Sequence, residues 1–163
     1  MTPIRQRRID TTTFRTIGAI LVVLAIGLFI VISPIRTTPP STGVHHVDRI
    51  LTINGIELET MIADQPNERA RGLSGHTLLQ ENQAMLFVFD TPGRYSFWMK
   101  DMDFQIDMLW LNADREVVFM KQNADPNDYP ETYQPSMPAL YVVETIAGFA
   151  DTYGVTLGSV FDW

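Results

Sequence analysis

The sequence contains no cysteine. That absence excludes disulfides, thiolate metal sites, a cysteine nucleophile and anchoring through a lipidated cysteine. Charge is sparse as well: Asp, Glu, Lys and Arg supply 19% of 163 residues, below the usual quarter, which argues against long charged disordered tracts. Enzyme signatures are missing in turn. There is no H-E-x-x-H, no phosphate-binding glycine loop and no dinucleotide fingerprint. Gly72-Leu73-Ser74-Gly75 lacks the glycine spacing of a serine-hydrolase elbow.

Cations are scarce except at the start. Residues 1–36 hold Arg5, Arg7, Arg8, Arg15 and Arg36 against Asp10, a net +4, whereas residues 37–163 hold seven Lys and Arg against eighteen acids, a net −11. A surface so acidic repels phosphate backbones, so no nucleic-acid partner is predicted.

What the sequence does contain is one long apolar run. Ile17 to Ile32 has no charge and no strongly polar side chain. With Phe14, Thr16 and a snorkelling Arg15 it approaches the length that crosses a bilayer. The arginines precede it, which places the N-terminus in the cytoplasm. The run exceeds the usual signal-peptide core, and Ser33-Pro34-Ile35-Arg36 offers no A-x-A-like cleavage site. The reading is therefore a signal anchor rather than a cleaved peptide; cleavage would make the protein secreted. It divides the chain into a cytoplasmic basic tail (1–16), a transmembrane anchor in the inner membrane (17–33), a flexible linker (34–47) and an extracytoplasmic β-rich domain (48–163). The bilayer, met through residues 17–33, is the first predicted partner.

Within the domain, apolar runs on either side of Asn54-Gly55 read as a β-hairpin, because that dipeptide accepts the positive φ angles of a two-residue turn. Asp64 to Leu73, with Pro66 early, Glu68 next and Arg69 and Arg71 late, reads as a short helix stopped by Gly72 or Gly75. Further strands are expected at 85–89, 95–100, 107–111, 117–121, 140–145 and 159–163. The four prolines between Asn123 and Pro138 exclude a central strand there. A helical turn is expected within 145–153. The fold class is mainly β, a compact barrel-like or sandwich domain with one or two short helices behind an N-terminal transmembrane helix.

Several of these segments carry a resemblance. Ala63 to Leu73, Met85-Leu86-Phe87-Val88-Phe89, Ser96-Phe97-Trp98-Met99-Lys100, Asp107-Met108-Leu109-Trp110-Leu111 and Tyr141-Val142-Val143-Glu144, with Gly148, Gly154 and Gly158, stand in an order and spacing similar to the uncharacterised domain-of-unknown-function family 192. The resemblance covers nearly the whole exported domain, and Phe97-Trp98-Met99-Lys100 is its most specific part. It implies a compact β-rich fold, often exported, with no established activity or cofactor. The family usually has Asn-Thr after the lysine and proline two residues before the aspartate; here those positions are Asp101, Met102 and Gln105. Ser74 and Ala84 also replace a usual methionine and glycine.

The residues themselves point to one candidate site. On a strand, Trp98 and Lys100 face one side while Phe97 and Met99 face the other. An aromatic wall beside an ammonium suits a small anionic, sugar-like or peptide ligand. The predicted ligand-binding set is Arg71, Trp98, Lys100, Asp101 and Asp107. Against it stands a structural reading, in which Arg69 and Arg71 form ion pairs that pin the helix to the sheet, with Glu144 or Asp107 as partner. Asp101, Asp103 and Asp107 share strand parity, but Ile106 and Asn112 stand where a calcium loop needs glycine and glutamate. The exported methionines fall in apolar strands and read as core, and His45-His46 lies in the linker. No catalytic residue, metal set or cofactor is predicted. The function expected is a non-enzymatic binding module for a small ligand or envelope component. The alternatives are an envelope glycan-acting enzyme with paired carboxylates such as Asp101, Asp107 or Glu144 and a purely structural envelope protein.

Overall fold

The computed structural model describes residues 47–163. The predicted basic tail, transmembrane anchor and linker up to residue 46, with His45-His46, lie outside the described residues. Among those described, no helix is long and apolar enough to cross a membrane.

The hairpin forms where the sequence places it. β1 (Arg49–Ile53) and β2 (Ile56–Ala63) pair antiparallel, Ile53 opposite Ile56. Asn54 and Gly55 take φ of 49° and 81°, the positive pair that a tight hairpin turn requires. The chain then climbs through α1 (Pro66–Arg71). Proline starts it, and the Glu68 carboxylate accepts from the backbone N–H groups of Asp64 and Gln65, filling donors that a helix start leaves unpaired. Gly72 ends it at φ 50°, with its Cα so close to the Phe87 ring that an added Cβ would stand 3.1 Å from it. Only glycine meets both demands.

α1 and the loop after it form a crossover, so β3 (Gln83–Gly93) pairs with β2 in parallel. β4 (Phe97–Trp98) is shorter than the strand expected over 95–100. β5 (Ile106–Leu111) and β6 (Val117–Ala124) pair antiparallel around the Asn112 turn, where the Asn112 side chain accepts from the N–H groups of Asp114 and Glu116. The proline-rich segment contributes a 3-10 turn (Pro126–Asp128) and β7 (Thr132–Tyr133), which pairs with β4 outside the main sheet. β8 (Ala139–Ile146) runs between β3 and β5, and α2 (Phe149–Thr152) follows.

The main sheet has the order β1-β2-β3-β8-β5-β6 and is open. The expectation of a barrel-like or sandwich domain is borne out only as a mainly β fold with two short helices; the sheet is not closed into a barrel, for a reason visible at the chain end. Residues 159–163 do not form the predicted strand, and they do not join β1 to β6 in a ladder. They make single bridges only, Val160 to Glu116 and Asp162 to Thr52. Arg115 holds this end through Asp162 at 3.0 Å and lies over the Trp163 ring at 5.0 Å.

Both faces of the sheet are covered. Leu51, Leu58, Leu86, Leu109, Val143, Phe149 and Phe161 pack on one face, under α2 and the C-terminal segment. Leu73, Phe87, Met99, Met108, Trp110 and Val142 pack on the other, under α1 and the β4 region. All six residues of β5 are buried, which explains why its sequence shows no polar alternation.

Candidate functional site

The candidate site lies on the second face, where α1 and β4 leave a gap over β8. Phe97 is turned inward and meets Phe87 and Trp110 edge-on, with ring centroids 4.8 and 5.6 Å apart. Trp98, its neighbour, is 49% exposed and stands edge-on to Tyr129. Met99 is buried and Lys100 exposed, so the alternation expected from the sequence holds across these four residues. The buried indole N–H of Trp110 donates to the Tyr95 carbonyl at 2.9 Å, which fixes the approach to β4. Tyr95 in turn stacks on Phe89.

Two adjoining hollows result. The narrower, about 30 Å³, lies between Arg71, Ser74, Phe97, Trp98 and Glu144. The wider, about 250 Å³, is walled by Phe89, Tyr95, Phe97 and Trp98. Arg69 and Ala70 border both.

Glu144 is the chemical centre of the narrow part. It sits on β8 opposite Met85 on β3 and Met108 on β5, and only 4% of it is exposed. Among the described residues its carboxyl has no hydrogen-bond or ion-pair partner. Burial among apolar neighbours pushes its pKa up to about 8, so at neutral pH it is a protonated acid facing a cleft.

Among the described residues, Arg69 and Arg71 make no ion pair with Glu144 or Asp107. Arg69 donates to the backbone carbonyls of Asp64 and, at 2.8 Å, Val88, and lies over the Phe89 ring at 5.3 Å. Its guanidinium thus ties the crossover to β3 without a carboxylate. Arg71 is exposed at the cleft edge and, among the described residues, is bonded to no acid.

The predicted ligand set is divided by the fold. Arg71 and Trp98 line the same hollow. Lys100 and Asp101 lie on the loop beyond Trp98, exposed, and their backbone holds the rim: the Lys100 carbonyl accepts from the Ser74 hydroxyl at 2.8 Å and the Asp101 carbonyl from the Gly75 N–H at 2.9 Å. Asp107 is on the opposite face. A bulge in β6 aims the Asn123 N–H at its carboxylate, and the Gly148 and Ala150 N–H groups at the start of α2 complete the set at 3.2 and 3.0 Å. Glu144 entered the sequence reading only as an arginine partner and a rival carboxylate. Its signal is a lone acid inside the apolar strand Tyr141-Val142-Val143-Glu144.

Across residues 49–163 the chain matches the model of the DUF192 family, described as an uncharacterized ACR. The chain belongs to the DUF192 family. It is 34% identical over 104 residues to a UPF0127 protein of Thermococcus sibiricus, covering 63% of this chain and 64% of that one. The chain thus spans just under two thirds of the length of that curated relative. A solved structure of a protein of unknown function from Novosphingobium aromaticivorans is 27% identical, with a TM-score of 0.67 over 70% of this chain and 84% of the other. A second, from Sinorhizobium meliloti and described provisionally as a transcription regulator, is 28% identical, with a TM-score of 0.65 over 70% of this chain and 89% of that one.

Proposed function

We propose that this DUF192 chain is a membrane-tethered, extracytoplasmic binding module that takes a small ligand in the cleft between α1 and β4. One observation carries the reading: Glu144, a buried acid with no partner among the described residues, faces a hollow edged by Arg71 and Trp98. A buried polar group without a partner costs roughly 1–3 kcal/mol, a cost offset when a ligand supplies the hydrogen bond. The aromatic walls add apolar contact of the kind small-molecule sites use. Of the rival carboxylates of a glycan-cleaving enzyme, Glu144 lines the cleft but Asp101 and Asp107 do not, so the pair that such chemistry needs finds no support there. A nucleic-acid role finds no support in the acidic charge of residues 37–163. The tether and the exported setting are supported by the arginine-led apolar run of residues 17–33.

The test uses the full chain carrying fluorotryptophan, shaved by protease from outside intact cells and titrated with small anions, sugars and peptides. Shaving is expected to remove the domain. At least one probe class is expected to shift the Trp98 fluorine signal while leaving buried Trp110 in place. A domain protected from the outside protease refutes the setting, and a Trp98 signal inert to every class refutes the binding role.

A further inference from the structure

The two hollows differ in size and chemistry, and together they describe the ligand. The hollow beside Glu144, about 30 Å³, is the narrower of the two and suits a small polar head. The adjoining 250 Å³ is walled by four aromatic side chains and holds a ring-sized apolar body. The polar groups agree with this division. A protonated carboxyl offers one O–H donor, and Arg71 offers a guanidinium fork that no acid among the described residues occupies. The Ser74 hydroxyl proton is already committed to the Lys100 carbonyl.

Resting on the binding role above, we infer that the cleft takes a monocarboxylate with an apolar body, its head between Glu144 and Arg71 and its body against Phe97 and Trp98. A neutral amide or alcohol head can accept from both groups but brings no negative charge to the Arg71 guanidinium, so it is held more weakly.

The arrangement imposes a pH signature. The charged groups bordering Glu144 are Arg69 and Arg71 of α1; the neighbours from β3, β5 and β4 are Met85, Met108, Phe97 and Trp98, none of them charged. The ionised ligand is held by the O–H of Glu144. Once that proton is lost, two carboxylates face each other and affinity falls about tenfold per pH unit.

Phenylacetate, phenylacetamide and 2-phenylethanol, titrated into the full chain while the Trp98 signal is followed, provide the test. Phenylacetate is expected to bind at least tenfold more tightly than either neutral analogue near pH 6.5, and at least tenfold more weakly near pH 9.5 than near pH 6.5. Glu144→Gln keeps a donor, so it is expected to keep binding while abolishing the pH effect; Arg71→Ala is expected to reduce phenylacetate to the level of the amide. An unchanged Trp110 signal certifies the fold in each case. Equal binding of the three probes, a pH-independent wild type, or no response to any of the three overturns the ligand class. The binding role falls only if the wider panel of anions, sugars and peptides also leaves Trp98 unmoved.

Discussion

Asp107 and Glu144 are the two acids buried in the sheet among the described residues, on neighbouring strands and opposite faces. Asp107 accepts three backbone N–H groups, from β6 and the start of α2. Glu144 accepts none and is held protonated by its apolar surroundings. The same chemical group has therefore been fitted in two ways. One face uses a carboxylate to lock a bulge and a helix start. The other leaves a carboxyl idle beneath an opening, an arrangement whose cost is sensible only if something outside the chain uses it.

The sharpest way to break this comparison is Asp107→Ala. It strands three backbone N–H groups at once, that of Ala150 buried and those of Asn123 and Gly148 partly so, and each unmet buried donor costs roughly 1–3 kcal/mol. A loss of about 4 kcal/mol in urea unfolding of the full chain is expected, with α2 and the Asn123 bulge released. A loss under about 1 kcal/mol would show that water or rearrangement replaces the carboxylate and that the two acids are alike after all.

The second effect concerns pH and comes from Glu144 alone. In the unfolded chain it loses its proton near the ordinary value of 4.5; in the fold it keeps it to about 8. Its contribution is therefore complete below about pH 4.5 and declines as pH rises through 8, by a few kcal/mol. Glu144→Gln is expected to flatten that decline and to be more stable than the parent near pH 9. Parallel pH profiles for the two proteins would mean that Glu144 is ionised in the fold.

The local elements behind this contrast are legible in the sequence. Asn54-Gly55 announces the hairpin, and Pro66, Glu68 and Gly72 mark α1 from start to stop. What the sequence hides is facing. Asp101, Asp103 and Asp107 share parity only while the chain stays extended, and Asp101 adopts φ 54°, which ends the count before β5 begins. β3, β5 and β8 lie within the sheet with both faces covered, so apolar alternation, the usual sign of a buried side, vanishes where the two acids sit. Arg69 misleads for a related reason. An arginine near acids suggests an ion pair, but the crossover from β2 to β3 brings the Asp64 and Val88 carbonyls to it first. Backbone acceptors leave no mark in a sequence. The C-terminal segment reads as a strand because its composition suits one, yet single bridges at Val160 and Asp162 suffice to dock it.

The smallest effect probes the rim of the open face. Ser74 holds the Lys100 carbonyl through its hydroxyl, while the Gly75 N–H holds the Asp101 carbonyl beside it. Ser74→Ala removes the first link and keeps the second, at a cost of about 0.5–1 kcal/mol for a partly exposed bond. The loss is local, since neither loop carries a strand of the main sheet. Hydrogen exchange at Gly75 is expected to speed several-fold, as openings of that loop become easier. Exchange at Asn123, whose N–H is bound by Asp107 on the other face, is expected to change only as much as global stability does. If both amides sped up equally, the cleft rim and the Asp107 cap would belong to one cooperative unit, and the division of labour between the faces would fail. If Gly75 alone responds, the cleft can loosen around a ligand while the capped face holds the fold, which is how a domain this small keeps an idle acid without coming apart.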